Sequence, residues 1–267
     1  VGTIASGISS HAEGYLTVSN GFYTHSEGFS TTASTLYSHA EGWLTLASGI
    51  SSHAEGNLTI ASGDYSHAEG QGTTASGTGS HAEGEGSVAS NDFSHAEGSG
   101  VASGDFSHAE GGSSLASGSR SHAQNNSTIA SGDYSHGGGS GTIASGRTAF
   151  THFTITGATS GVYGDYSAIL GGVDNNINNS GNSSAILGGN LNVIDTNVSR
   201  SVILGGSGIT GTTNDTVFVP NLNINTSFTP TATTDTTGSI GNITWDGSYI
   251  YVKTNLGWGR SLLDFTF

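Results

Sequence analysis

Apolar positions in the first half of the chain recur on a fixed beat rather than in blocks. In residues 57–70, Asn57-Leu58-Thr59-Ile60-Ala61-Ser62 reads as a short strand and Gly63-Asp64 as a turn. Tyr65 to Glu69 reads as a second strand, closed by Gly70. Alternate strand residues face opposite sides. Tyr65, His67 and Glu69 therefore share one face, Ser66, Ala68 and Gly70 the other, and Ile60 opposes Ala61.

The same pattern returns along the chain. Ser-His-Ala-Glu-Gly occurs seven times, first at Ser10 and last at Ser107, with a variant at Thr24-His25-Ser26-Glu27-Gly28. Worn copies follow at Ser121-His122-Ala123-Gln124 and Ser135-His136-Gly137-Gly138. The spacing is fourteen residues, with one slip to thirteen between His95 and His108. Ala-Ser-Gly, as in Ala47-Ser48-Gly49 and Ala61-Ser62-Gly63, sits halfway between successive histidines. A short fixed period predicts a stack of coils, each touching only its neighbours.

Two strands that face each other with Ala, Ser and Gly approach closely, which predicts a flattened coil with a thin lumen. One coil rises by about the 4.8 Å spacing of paired strands, so ten coils make a rod on the order of 45 Å. Large side chains point outward instead. Ile4, Val18, Leu46, Ile60, Val88, Leu115, Ile129 and Ile143 form one column. Tyr23, Tyr37, Tyr65, Phe93, Phe106 and Tyr134 form another. Apolar columns along a rod call for a partner to cover them, so self-association along the rod is expected. A lumen lined by methyl groups buries too little apolar surface to hold an isolated protomer together.

Composition fits this reading. Gly is 44 of 267 residues, charged residues are 9%, and Cys and Met are absent. Strict spacing argues against disorder, because a linker has no reason to hold an apolar column in register. The formal charge is −15 with His neutral, and the five basic residues are scattered, which argues against nucleic-acid or anionic-membrane binding. No apolar run is long enough to span a bilayer as a helix. Val1 opens inside a repeat, which predicts further chain upstream.

The alternation of Ala-Ser-Gly with Ser-x-Ala-x-Gly over residues 1–150 resembles the head domain of trimeric autotransporter adhesins. Similar repeats occur in bacteriophage tail fibres and other viral fibres. The resemblance implies an all-β fold: a left-handed parallel β-roll, or β-solenoid, forming a homotrimeric rod. It also implies that the two x positions line the trimer interface. Here they are His and Glu rather than aliphatic, a departure from the family pattern. The implied interface ladder is His11, Glu13, His25, Glu27, His39, Glu41, His53, Glu55, His67, Glu69, His81, Glu83, His95, Glu97, His108 and Glu110.

A second block runs over residues 151–216. Ser167-Ala168-Ile169-Leu170-Gly171-Gly172 recurs from Ser184 and, with Val202, from Ser201, on a seventeen-residue period. Its His and Glu positions are apolar, which predicts a continued rod with an apolar interface. Residues 217–267 lose the repeat and are expected to form a small β domain that caps the rod. Thr216 to Ile224 reads as a strand leaving the solenoid, Thr229 to Thr237 as a linker, Ile243 to Val252 as a hairpin, and Trp258 to Phe267 as a further strand. Trp245, Tyr249, Tyr251 and Trp258 are candidates for a ligand-binding tip, or else the core of that domain.

Catalysis is not expected. Ser66 and His67 are adjacent in a strand, so they point to opposite faces and do not pair as nucleophile and base. Stacked Glu residues about 4.8 Å apart repel, and interleaved His offers donors to them. Pairing would raise the His pKa and lower that of Glu, placing greatest stability in mildly acid solution. No cofactor is expected; the metal alternative is three symmetry-related histidines meeting on a trimer axis. The sequence thus reads as a structural trimeric fibre of a phage or virus, on the virion surface or extracellular, with a host receptor or glycan as the partner beyond itself. The alternatives are a bacterial surface adhesin and a self-assembling extracellular filament.

Overall fold

The computed structural model describes residues 2–155, 160–220, 229–246 and 248–263. Two compact units result, Val1–Pro220 and Asn221–Phe267. No helix occurs among the described residues.

The larger unit is a parallel β-solenoid built from two long sheets, with a three-stranded sheet of Asn176–Ile177, Val193–Ile194 and Thr210–Gly211 in its second block. One is eleven-stranded, made of Ile4–Ala5, Val18–Ser19 and their equivalents to Ile143–Ala144. The other is fifteen-stranded, from His11–Tyr15 to Val217–Phe218. Register is the repeat itself: His67 pairs with His53 and His81, and Ile60 with Leu46 and Thr74. The thirteen-residue step leaves the register intact, with His95 opposite His108 and Val88 opposite Val101. The missing residue therefore falls between His95 and Val101, where the Gly100 N–H donates to the Glu97 carbonyl at 3.2 Å.

The lumen is as thin as the alternation predicts. Ala61 and Ala68, with their equivalents from Ala33 to Ala130, are fully buried, whereas Ala5 and Ala12 of the first coil are not. Sequence reading placed only Ala, Ser and Gly inside, yet Thr59 and its equivalents Thr17, Thr31, Thr45 and Thr73 are buried too. They stand at the corner, where the Thr73 hydroxyl donates to the Glu69 carbonyl at 3.1 Å. Ser66 does the same at the opposite corner, donating to the Gly63 carbonyl at 2.7 Å. Such bonds hold only some coils, since the Thr17, Thr45 and Thr59 hydroxyls and those of Ser80, Ser114, Ser121 and Ser135 are buried without a hydrogen-bond partner.

Glycine appears where coils come closest. A Cβ on Gly63 would stand 2.0 Å from the Gly77 carbonyl oxygen. Gly70 has φ +99°, and a Cβ there would meet the Gly84 carbonyl oxygen at 2.2 Å.

Tyr65 is not part of a strand. It lies in the turn with φ 59°, as do Tyr23, Tyr37, Phe93, Phe106 and Tyr134 at φ 55–60°. The coil must reverse there within a few residues, and a left-handed residue makes the reversal, so the shared strand face is His67 and Glu69 alone.

The second block keeps the stack and widens it. Ala168, Ala185 and Val202 continue the histidine column, seventeen residues apart. Ile169, Ile186 and Ile203 replace the luminal alanines and are fully buried, as are Ile177 and Ile194 opposite them. Asn175 and Asn192 replace the corner threonines. The Asn175 side-chain amide donates to Gly171 and Gly189 carbonyls, and its Oδ1 accepts from the Asn192 N–H at 3.0 Å. The strand isoleucines of this block are therefore inside, and its outward apolar residues include Leu170, Leu187, Leu191 and Leu204.

Val217–Phe218 pairs in parallel with Val202–Ile203, so this segment remains in the solenoid instead of leaving it. Residues 221–224, the rest of that expected strand, lie outside the described residues. The smaller unit is an antiparallel sheet of Ile243–Trp245, Tyr249–Thr254 and Gly257–Leu262. The expected hairpin is there; the last four residues of the expected final strand are outside the described ones.

Candidate functional site

The parallel register brings the His and Glu positions together on the outer face of the larger sheet. From His25 to His122 the imidazoles form a continuous stack, with neighbouring centroids 4.7–4.9 Å apart and planes within 7° of parallel. The stack breaks at its ends. His11 tilts by 59° against His25, and His136 stands at 86° to His122. The stacked histidines that face a carboxylate keep 33–39% of their side-chain surface exposed.

Glu residues run beside the rings, and their partners change along the rod. In the first three coils each histidine Nε2 faces its own coil's carboxylate: His11–Glu13 at 3.6 Å, His25–Glu27 at 3.8 Å, His39–Glu41 at 3.9 Å. From His67 onward it faces the preceding coil: His67–Glu55 at 3.7 Å, His81–Glu69 at 3.4 Å, His95–Glu83 at 3.5 Å, His108–Glu97 at 3.6 Å and His122–Glu110 at 3.4 Å. His53 lies at the changeover. All these separations exceed the 2.7–3.2 Å of a normal N–H···O bond, taken as roughly the usual range. From His25 to His122 the Nε2 atoms are buried without a hydrogen-bond partner.

The glutamates also meet one another. Glu41 is hydrogen-bonded to Glu55 and Glu27; those bonds keep its proton, burial and the two neighbouring charges add to the effect, and its pKa is pushed up to about 7. Glu27 and Glu55, which share those bonds, are lowered. The histidines shift opposite to the sequence expectation. Burial, followed by repulsion from neighbouring imidazoles, lowers the pKa of His39, His53, His122 and His136. In a close stack, desolvation and like charge outweigh the carboxylates.

Beside the carboxylates lies an open groove of about 580 Å³, lined by Glu13, Glu27, Glu41, Glu55, Glu69 and the glycines that follow each. Past those glycines stands a column that sequence reading missed. Tyr15, Phe29 and Trp43 are exposed and stacked, at 5.1 and 6.3 Å between centroids. The signal was available: each follows the glycine of its His-x-Glu-Gly run. The turn column is exposed as well, Tyr65 at 67% and Tyr134 at 54%.

In the smaller unit the four aromatic candidates divide. Trp258 and Tyr251 are buried. The Trp258 Nε1–H donates to the Thr237 carbonyl at 3.0 Å, and the Tyr251 hydroxyl donates to Asp246 at 2.6 Å. Packing claims them because a three-stranded sheet this small has few other large side chains to bury. Their edges still line a cleft of about 370 Å³ with Pro230, Thr231 and Arg260. Trp245 and Tyr249 are half-buried, and Arg260 sits over the Tyr249 ring at 4.4 Å. Two of the four candidates, Tyr251 and Trp258, are therefore core residues of this unit.

No known protein family matches this chain, and no curated protein matches it.

Proposed function

We propose that the chain is the shaft of a homotrimeric structural fibre of a bacteriophage or virus, displayed on the virion surface or extracellularly, with a role in host attachment. The observation that carries this reading is the turn column of exposed aromatic rings. Each ring occupies a left-handed backbone position, which costs an L-residue roughly 1–2 kcal/mol. Glycine or asparagine fits such a position with less strain. A bulky ring held there and left in water stabilises nothing within its own coil except its neighbour in the stack. A partner rod carrying the same repeat supplies a surface that matches every ring in turn. The half-covered His/Glu ladder and the Tyr15–Phe29–Trp43 column offer further contact on the same rod. The left hand of the coil and the threefold state come from the adhesin-like repeat. Host contact, with a receptor or a glycan, is assigned to the cleft beside Trp258 and Arg260.

Sedimentation equilibrium or native mass spectrometry of the full chain is expected to give a mass near three chains. Electron microscopy of that species is expected to show rods. A folded monomer at working concentrations overturns the proposal.

A further inference from the structure

Every stacked Nε2 lacks a hydrogen bond, but the changeover in ladder pairing leaves one of these histidines without an ion-pair contact as well. His53 is stacked between His39 and His67 at 4.7 and 4.9 Å, yet its Nε2 is buried and meets no hydrogen-bond or ion-pair partner. The carboxylates of Glu41 and Glu55 flank it, and the three ligand atoms lie within 4.8 Å of one another. We propose that Glu41, His53 and Glu55 form a binding site for a divalent transition-metal ion of the zinc class, built from a single chain.

Three features of the geometry support this. A buried imidazole nitrogen without a partner loses about 1–3 kcal/mol, and a ligated cation recovers that loss. The donor set of one imidazole and two carboxylates is the kind that zinc accepts, with water completing the shell. With bonds of about 2.0–2.2 Å, two ligands of a tetrahedral ion stand roughly 3.4 Å apart. The ladder's own Nε2···Oε separations of 3.4–3.9 Å fall near this value and outside hydrogen bonding. The ligand atoms of the His53 site, within 4.8 Å of one another, have at most about 1.4 Å to close to reach that edge length. The other mixed clusters, such as His67–Glu69–His81, contain a histidine that already faces a carboxylate, so the His53 site is expected to fill first. This differs from histidines meeting on a symmetry axis, because one chain provides every protein ligand.

The test is a Co²⁺ titration of the full chain, followed by visible d–d absorption and calorimetry and repeated with Zn²⁺. The expected result is saturable binding, with the tightest equivalent weakened at least about tenfold in His53→Ala. Glu55→Gln, nearly isosteric, should weaken it comparably, which keeps the test valid should the histidine variant misfold. His122→Ala removes a ring at the end of the stack, outside all the clusters, and should leave that equivalent unchanged. Sedimentation of each variant separates a change in assembly from a loss of ligand. Absence of d–d bands overturns the proposal, as does equal affinity in His53→Ala and Glu55→Gln, or an equal loss in His122→Ala.

Discussion

At the residue scale, the molecule turns on a few positions where backbone or charge leaves no slack. Gly70 is one. With φ +99° and the Gly84 carbonyl 2.2 Å from where a Cβ would sit, alanine there has neither a permitted conformation nor room. Gly70→Ala is expected to destabilise the solenoid by at least about 2 kcal/mol, read as a lower thermal midpoint. Gly72, with open space around it, is the comparison: alanine there bears only the cost of φ +65°. Glu41 is another such position. Its raised pKa means the folded chain keeps a proton that the unfolded chain releases. That contribution is present below about 4.5 and lost as pH rises through about 7. Glu41→Gln, neutral at every pH, is therefore expected to stabilise the metal-free protein at pH 8 by about 1 kcal/mol after discounting for solvent screening, and by much less at pH 5. The lowered histidines act in the other direction. The unfolded chain binds more protons at His39, His53, His122 and His136, so stability falls as pH drops through about 6.5. In Glu41→Gln, which removes the opposing carboxylate, a thermal midpoint that rises from pH 7 to pH 5 would contradict both the burial of these rings and its consequence.

At the element scale, period and alternation carried most of the fold into view. Ala68 inside, with His67 and Glu69 outside, follows from strand geometry alone, and the register of His against His follows from a repeat of fixed length. What the sequence hid was conformation. Nothing in Gly63-Asp64-Tyr65 says that the tyrosine, a β-forming residue, takes the left-handed turn position; the tight reversal imposes it. Ile169 was hidden for a different reason. Ser-Ala-Ile-Leu-Gly-Gly aligns with Ser-His-Ala-Glu-Gly, so the isoleucine falls on the luminal position, but room for it exists only because the coil is three residues longer and Asn175 spans the corner. The sign of the histidine shift was also out of reach, since it depends on how tightly the rings stack. The two lumens should then respond in opposite ways to the same kind of change. Ala68→Leu overfills a space sized for methyl groups and is expected to cost about 1–3 kcal/mol or more. Ile186→Ala leaves a cavity and is expected to cost about 2–5 kcal/mol. Denaturant midpoints measure both; a neutral Ala68→Leu would mean the first lumen is wider than its buried alanines show.

At the scale of the whole molecule, the solenoid has an unusual inversion, with small residues inside and rings outside. Its interior contributes little per coil, since a buried methyl removes little apolar surface from water. A backbone ladder joins coil to coil in register, but each new coil also orders fourteen residues against their conformational entropy. Covering the outer rings is the largest apolar gain still open to the chain. Tyr23 and Tyr37 stack at 5.3 Å and remain exposed, with Tyr65 further along the same column. Replacing all three with serine removes no luminal contact and keeps each backbone position occupied by a residue that adopts φ near 57° elsewhere in this chain, as Ser9 does. Hence the triple variant should leave the coil geometry alone and act on association, by about 1–2 kcal/mol for each ring that a partner covers. Sedimentation velocity across a dilution series is expected to show dissociation at protein concentrations where the unchanged chain stays assembled. Because the isolated protomer lacks that cover, its β-sheet circular dichroism should fall along with the mass. Should the variant keep the full assembled mass on dilution, the turn column faces solvent and the partner rod meets the Ile60 column instead.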